Sequence, residues 1–381
     1  MRSTLRLLVV AAVLLHASIA SAATFVVDSL FDDTFSSDSN PGDGICDDSF
    51  PTTTDCTLRA AIEEANALAG PDRIEFSVAG EIAPDSGLLG ALPVVIDDLV
   101  IAGSTAPGWS PLKPALYLNG TAISAADDAF AAGLKVTGGT LEVFGLGITG
   151  FPYAQVEFDN GSAGGRVDGC VLGLDETGAP DPHPKSLSGA GIRIIGDNAV
   201  IGRTGPPGSV IGLGNVISGN PLYGIEIRGD GNEVLGNIIG MSADGLLARG
   251  NGAAGVILFS FSESADNNRI GGGDPGDGSG NHFANNGGVG VSVGGTGNVV
   301  DGNTFGYKPG TGVFFSSLTP AISVSGDGHT IGGPVGNQII DRNSGTEPII
   351  EIGIPNSSGG LPATNVQVVG NRIGTQTVPL G

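Results

Sequence analysis

The chain has 381 residues, of which 67 are glycine and 14% are charged, and its formal net charge is −23. So acidic a surface repels nucleic acid and anionic bilayers, which makes both poor partners unless cations bridge them, while divalent cations are compatible with it. Hydrophobic residues make up 40% of the chain. The glycines therefore indicate tight turns in a well-buried structure and not disorder.

Residues 1–22 have the pattern of a secretory signal peptide. Arg2 and Arg6 precede an apolar run over residues 7–15, and Ala20-Ser21-Ala22 is a small-residue cleavage site. No later stretch reaches the roughly 20 apolar residues that a transmembrane helix needs. The sequence therefore predicts an exported protein, secreted or held at the cell surface, without a transmembrane segment.

Residues 23–72 are predicted to form an N-terminal cap made of a short strand, an acidic loop and one amphipathic helix. Thr57 suits the N-cap position of the helix, and Gly70-Pro71 is a stop signal. The apolar residues of the helix share one face at i, i+3 and i+4 spacing: Leu58, Ala61, Ile62, Ala65 and Leu68. We expect this face to cover the open apolar end of the repeats that come after it.

The acidic loop of this cap is the best candidate for a metal site. It holds eight aspartates between Asp28 and Asp55 and no lysine or arginine. Carboxylate and amide oxygens at short spacings around turn glycines are ligands that calcium favours. The predicted calcium ligands are Asp38, Asn40, Asp43, Asp47 and Asp48. The loop lacks the glycine offset and closing glutamate of an EF-hand, and the alternative is a solvated polar loop without a bound ion.

The predicted export of the chain determines whether its three cysteines are expected to form a disulfide. An exported chain favours disulfides, and Cys46 and Cys56 lie ten residues apart in the acidic loop. They are the predicted disulfide. Cys170 stands where a repeated motif otherwise has asparagine, so we expect a small buried residue with a free thiol.

A seven-residue motif occurs four times and defines the rest of the chain. Its central residues are Cys170, Asn237, Asn303 and Asn371, at intervals of 67, 66 and 68 residues. So regular a period predicts a solenoid whose units stack on one another. Short runs between the motifs alternate apolar and polar residues and end at turn residues, as strands do. The sequence therefore predicts an all-β parallel β-helix over residues 73–381, with three short strands in each coil of about 22 residues.

The recurrent asparagine has a physical role in such a fold. Asparagine tolerates the left-handed region, and its side chain bonds neighbouring backbone groups, so stacked asparagines predict a hydrogen-bonded ladder. His329 falls close to the slot of Asn268. We interpret it as a ladder substitute, against the alternative of the Gly-His-Gly element of polygalacturonase-like enzymes.

The last residues of the sequence lack a recognisable cap. Residues 370–381 align with residues 236–250, where another coil begins. Solenoids avoid an uncovered terminal coil because it exposes a whole strand edge. We therefore expect this sequence to be part of a longer chain.

Two family resemblances rest on these residues. The segments that carry the first resemblance are Asn40-Pro41-Gly42-Asp43-Gly44-Ile45-Cys46 and Cys56-Thr57-Leu58-Arg59-Ala60-Ala61-Ile62. Together they resemble the CSLREA domain of exported bacterial proteins. Ala60 and Thr57 stand in place of the glutamate and the serine in that name. The repeats are similar to right-handed parallel β-helix proteins of the pectin-lyase-like architecture. The first resemblance implies an exported, surface-associated protein. The second implies a fold shared by lyases, hydrolases, adhesins and structural rods.

Candidate binding and catalytic residues are few. The aromatic runs Phe259-Ser260-Phe261 and Phe314-Phe315 would stack on sugar rings if exposed, and core packing is the alternative. Asp97-Asp98 and Asp127-Asp128 are adjacent acids whose side chains would point to opposite faces of a strand. His183 and His282 have no partner at metal-ligand spacing. No catalytic residues are assigned, and no cofactor apart from calcium is implied.

The sequence leaves two functions open. The first is a non-catalytic extracellular rod that contacts carbohydrate or a cell surface. The alternative is a polysaccharide lyase or glycoside hydrolase acting on extracellular polysaccharide, which would need clustered Asp, Arg or His side chains on one face of the β-helix. The expected partner in both cases is an extracellular polysaccharide or a cell-surface glycan.

Overall fold

The computed structural model describes twelve stretches of the chain. They are residues 22–49, 54–84, 90–124, 126, 128–180, 189–202, 214–259, 265–272, 278–315, 320–340, 348–353 and 362–374. The predicted signal peptide, apart from its last residue, lies outside them, as do Asp127, His183 and Phe261.

The chain folds into a right-handed parallel β-helix with three sheets. The first sheet has 11 strands: Thr24–Val27, Asp72–Phe76, Leu99–Ala102, Leu141–Phe144, Gly165–Asp168, Ala199–Gly202, Glu233–Leu235, Arg269–Ile270, Val299–Val300, Thr330–Gly332 and Gln367–Val369. The second has ten: Gly80–Ile82, Leu116–Asn119, Gly147–Thr149, Val171–Leu172, Val216–Ile217, Ile238–Ile239, His282–Phe283, Thr304–Phe305, Gln338–Ile339 and Arg372–Ile373. The third has eight: Ala132–Val136, Ala154–Phe158, Ala190–Ile194, Ile225–Ile227, Val256–Leu258, Val291–Val293, Ile322–Val324 and Ile350–Ile352.

The core is built from columns of β-branched side chains that stack from coil to coil. One column runs through the first sheet in continuous register, and all its members are fully buried: Ile74, Ile101, Val143, Val167, Ile201, Val234, Ile270, Val300 and Ile331. Successive strand residues point to opposite faces, so every second residue enters the interior. β-Branched side chains fit this pleated, stacked surface well. The predicted all-β solenoid is thus confirmed.

The predicted asparagine ladder is present along the second sheet. Each backbone N–H bonds to the Oδ1 atom of the next ladder residue: Cys170 to Asn215, then Asn237, Asn281, Asn303, Asn337 and Asn371. A second ladder joins Asn232, Asn268 and Asn298, and its next acceptor is Nδ1 of His329. The interpretation of His329 as a ladder substitute is therefore confirmed.

The predicted coil length is wrong. Ladder neighbours Asn215 and Asn237 are 22 residues apart, but Asn237 and Asn281 are 44 apart. One repeat unit therefore holds two coils and not three. The step from Asn237 to Asn281 is a long coil, whereas the last two steps of the ladder are 34 residues each. The long coil contains a hairpin loop that is closed by an antiparallel bridge between Met241 and Ala248. The sequence of this loop is rich in turn residues and therefore resembles an additional coil.

The N-terminal helix spans Leu58–Ala67 and is capped as predicted, because Oγ1 of Thr57 accepts the N–H of Ala60 at 3.0 Å. Leu58, Ala61, Ile62 and Ala65 are buried in the core, and Leu68 forms the C-cap. No helix in the described stretches is long and apolar enough to cross a membrane.

Cys170 is a free, fully buried cysteine within the described residues, and burial raises the pKa of its thiol to about 12. Its Sγ atom lies 3.7 Å from the carbonyl oxygen of Val143. Such a thiol stays protonated and acts as a small core residue.

We expect His329 to make the fold acid-sensitive. Burial lowers its pKa, although the Ser325 carbonyl and Asp327 act in the opposite direction. Nδ1 accepts the N–H of Asn298, so protonation removes a ladder bond. Because the pKa of His329 is lower in the folded state, its contribution to stability is fully present above the ordinary histidine pKa and is lost as the pH falls below it. The free energy of unfolding then changes by at most about 1.4 kcal/mol per pH unit.

Urea unfolding of the wild type and His329→Asn between pH 7.5 and 5 checks this prediction. His282, whose pKa burial and Lys308 lower to about 4, contributes equally to the slopes of both proteins. The difference between the two slopes therefore isolates His329. Identical slopes in the two proteins would contradict the prediction.

Candidate functional site

A row of charged residues crosses the outer face of the third sheet. The row lies on four successive strands and its members pair in register: Lys135, Glu157, Arg193 and Glu226. Their strand neighbours are core residues, such as Ile192 and Ile194 on either side of Arg193, so the charged side chains point away from the core. The exposed fractions of Glu157, Arg193 and Glu226 are nevertheless only 1%, 8% and 2%.

The buried charges form a continuous network. Arg193 lies between two carboxylates, with Nη1 3.1 Å from Oε1 of Glu157 and Nε 3.2 Å from Oε1 of Glu226. Arg228 donates to the same oxygen of Glu226 at 2.7 Å. Lys135 is 3.4 Å from Oε2 of Glu157 and 2.8 Å from Oδ2 of Asp159. Three cations thus balance three carboxylates, so their burial is tolerated only as a set.

Aromatic rings surround this network. The guanidinium of Arg193 lies 4.8 Å from the ring centre of Tyr153, and that of Arg228 lies 4.4 Å from the ring centre of Phe259. Two further rings meet these edge-on, Phe130 against Tyr153 and Tyr223 against Phe259. We call the six charged residues and these four aromatic residues the sheet-three cluster. It presents partly exposed rings beside strong hydrogen-bonding groups.

The electrostatics of the cluster are unusual for an outer face. Burial raises the pKa of Glu157, although Lys135 and Arg193 oppose the shift. Burial also raises the pKa values of Tyr153 and Tyr223. Burial acts to raise the pKa of Asp159, but the hydrogen bonds from Lys135 and from the Asn160 N–H, together with the charges of Lys135 and Arg193, lower it overall. Such perturbed groups on an accessible face mark a candidate functional site.

The acidic loop of the cap is organised by hydrogen bonds. Oδ1 of Asp38 accepts the N–H of Asn40, Oδ2 of Asp43 accepts from the Asn40 side chain, and Oδ1 of Asp47 accepts from the Ser39 hydroxyl. Asp48 forms a backbone bridge with Asp38. In the described residues, no three His, Cys, Asp or Glu side chains converge as metal ligands. Calcium binding by this loop stays a prediction.

The predicted disulfide between Cys46 and Cys56 is confirmed. It links the acidic loop to the residue just before the N-cap Thr57. Two carboxylates of the helix hold the loop from the other side, since Glu63 accepts the N–H of Asp38 and Glu64 accepts those of Gly42 and Gly44.

Other sequence candidates are dispersed. Phe259 belongs to the sheet-three cluster, while Phe314 packs on Tyr307 and Phe315 on a small apolar cluster outside the β-helix interior. Asp97 and Asp98 accept separate backbone N–H groups, of Gly70 and Thr140. Nδ1 of His282 lies 2.6 Å from Oγ1 of Thr304. Within the described coils, these residues form no joint catalytic group.

The charged members of the sheet-three cluster are not among the predicted site residues. A signal was present, because Arg193 and Glu226 each stand between two isoleucines of a strand. The charged residues follow no fixed period in the sequence. Glu157 and Arg193 are 36 residues apart, and Arg193 and Glu226 are 33 residues apart. Only the strand register brings them together.

Among the solved structures that are similar to this chain, one supports the fold. The A-module of mannuronan C-5 epimerase AlgE6 from Azotobacter vinelandii gives a TM-score of 0.55 at 15% identity, covering 84% of this chain and 82% of that chain. The AlgE4 A-module from the same bacterium gives a TM-score of 0.31 at 12% identity, covering 89% and 98%. A mutant of the periplasmic alginate epimerase AlgG gives 0.32 at 12% identity, covering 78% and 77%.

No protein-family model and no curated protein matches the chain. The CSLREA resemblance of the cap therefore stays a prediction. The first structural similarity, at 15% identity, is one of fold. The chain is a right-handed parallel β-helix.

Proposed function

We propose that this protein is an exported β-helix that contacts an extracellular polysaccharide through the sheet-three cluster. The observation that carries the proposal is the placement of four aromatic rings around Arg193 and Arg228 on one outer face. The first fold neighbour is named as a mannuronan C-5 epimerase, a protein that acts on a polysaccharide. The predicted signal peptide and the acidic surface agree with an extracellular setting.

The chemistry of the cluster suits sugars. Aromatic rings provide flat apolar surfaces for the C–H faces of pyranose rings. The partly exposed members of the network, Lys135, Asp159 and Arg228, offer donors and acceptors for hydroxyl groups, and the buried members hold them in place. Phe130, with an exposed fraction of 63%, is the ring most accessible to a polymer.

A second candidate function is catalysis on the same polymer, as a polysaccharide lyase or glycoside hydrolase. The observation that favours it is the raised pKa of Glu157 within a network that also touches Tyr153 through Arg193. A carboxyl group whose pKa is raised by burial is a stronger candidate for proton transfer than a solvated one. Binding and catalysis at the cluster differ in their products and can be separated by one experiment.

We expect Phe130→Ala and Tyr223→Ala each to weaken polysaccharide binding about tenfold, because each removes a stacking surface. Mature protein is incubated with alginate, polygalacturonate and a neutral glucan, and retention is measured by affinity electrophoresis. Phe31→Ala is the matched control, because Phe31 is 70% exposed and lies on the N-terminal cap. Equal retention of all three variants and the wild type would reject the sheet-three cluster as the contact face.

The same incubations test catalysis. Released oligosaccharides, or altered sugar composition of the intact polymer measured by NMR, would establish an enzyme. We would then expect Glu157→Gln to abolish turnover while retaining the polymer. Retention without any change in the polymer supports a binding role.

A further inference from the structure

One carboxylate oxygen in the acidic loop has no compensating group among the described residues. Asp38 has an exposed fraction of 7%, and its Oδ1 atom accepts the N–H of Asn40 at 2.8 Å. Its Oδ2 atom is buried without a hydrogen-bond partner. A buried carboxylate oxygen without a partner is unfavourable, and either a cation or a proton beside it relieves the cost.

The surrounding chain does not supply such a cation. Residues 28–55 contain no lysine or arginine. Arg59, the next basic residue, is fully engaged by Asp32 and by the carbonyl oxygens of Gly90 and Ala91. The electrostatic neighbours of Asp38 are the carboxylates Glu64 and Asp47, both of the wrong sign. Compensation is therefore expected from outside the polypeptide.

The two other carboxylates near Asp38 are already occupied by the loop itself. Both oxygens of Glu64 accept backbone N–H groups, from Gly42 and Gly44. Glu63 accepts the N–H of Asp38 and the hydroxyl of Ser37. These bonds, together with the Cys46–Cys56 disulfide, fix the loop around Asp38, so its unpaired oxygen is held in place.

We propose that the loop of residues 38–48 binds one divalent cation, calcium in preference to magnesium, with Oδ2 of Asp38 as the central ligand. The remaining ligands would be Asp47, the amide oxygen of Asn40, backbone carbonyl oxygens and water. Calcium accepts such irregular sets of oxygen ligands, whereas magnesium requires near-ideal octahedral geometry. With so few carboxylates the dissociation constant is expected at about 10⁻⁴–10⁻³ M, the range of extracellular calcium modules.

Isothermal titration of the EDTA-treated mature protein with calcium chloride tests the proposal, with thermal unfolding as a second readout. We expect one ion per chain and a Tm that rises with calcium concentration. Asp38→Asn keeps the shape of the side chain and removes its charge, and it should weaken calcium binding at least tenfold. Magnesium chloride should produce a smaller rise in Tm than calcium chloride.

Asp72→Asn is the matched control. Asp72 is also buried, with an unpartnered Oδ2 atom, but it lies on a strand of the first sheet. This variant should retain the calcium response, and Asp47→Asn provides a second loop variant if Asp38→Asn does not fold. The absence of calcium binding at millimolar concentrations, or an unchanged calcium response in a folded Asp38→Asn or Asp47→Asn, would overturn the proposal.

Discussion

Replacing Arg59 by alanine is expected to lower the free energy of unfolding by about 3–5 kcal/mol, the cost of breaking a buried ion pair from one side. Its guanidinium makes a two-pronged ion pair with Asp32, through Nε at 2.7 Å and Nη2 at 2.8 Å. Both side chains are nearly inaccessible, with exposed fractions of 5% and 1%. Removing the cation leaves the Asp32 carboxylate buried without its partner.

Arg59 also joins separate parts of the cap. The residue belongs to the helix Leu58–Ala67, Asp32 to the loop after the first strand, and Gly90 and Ala91 to the segment before the next coil. Loss of the side chain therefore loosens the cover over the apolar end of the β-helix as well as breaking one pair.

Urea unfolding at neutral pH measures the effect, with Arg73→Ala as the control. Arg73 also contacts a carboxylate, that of Glu75 at 2.7 Å, but 40% and 35% of the two side chains are exposed. We expect a loss below about 1 kcal/mol there. Asp32→Ala and the double variant complete a cycle that gives the coupling energy of the buried pair. A loss at Arg59 no larger than that at Arg73 would contradict the argument.

The sequence could predict the N-terminal helix and the disulfide because their signals are local. Thr57 lies three residues before the N–H that it caps, and the apolar face of the helix follows a 3.6-residue period. The Cys46–Cys56 pair is separated by 10 residues, so proximity in sequence was a good guide. The Asp32–Arg59 pair spans 27 residues and has no local pattern.

The coil length could not be predicted because turns and excursions have the same composition. Glycine, asparagine and aspartate end a strand, but they also form the hairpin between Met241 and Ala248. Counting such turns gives three coils in a repeat that has two. The ladder residues were recognisable as a repeat, yet only their hydrogen bonds show which asparagine stacks on which.

The sheet-three cluster illustrates the same limit for function. An outward-facing arginine between isoleucines has the pattern of an ordinary solvated strand residue. Its burial depends on Glu157 and Glu226, each more than 30 residues away, and on rings from other coils. Chemistry on a solenoid is assembled across coils, so a search for short catalytic motifs does not detect it.

Replacing Asn237 by alanine is expected to destabilise the protein by about 2–5 kcal/mol, since several buried polar groups lose their partners. Oδ1 of Asn237 accepts both the backbone N–H and the side-chain N–H of Asn215, at 3.0 and 2.9 Å. Its Nδ2 atom donates to the carbonyl oxygen of Ile201 at 2.9 Å and to Oδ1 of Asn281 at 2.9 Å. All of these residues are buried, so water does not replace the lost bonds without opening the coil.

The same ladder supplies its own control at Cys170. This side chain fills an asparagine position, but its sulfur makes only weak contacts, at 3.7 Å to the Val143 carbonyl oxygen and 3.5 Å to that of Asp168. Cys170→Ala should therefore cost about 1 kcal/mol, mainly through lost packing. Equal losses for the two variants in urea unfolding would mean that stacked core side chains, and not the asparagine ladder, hold the coils in register.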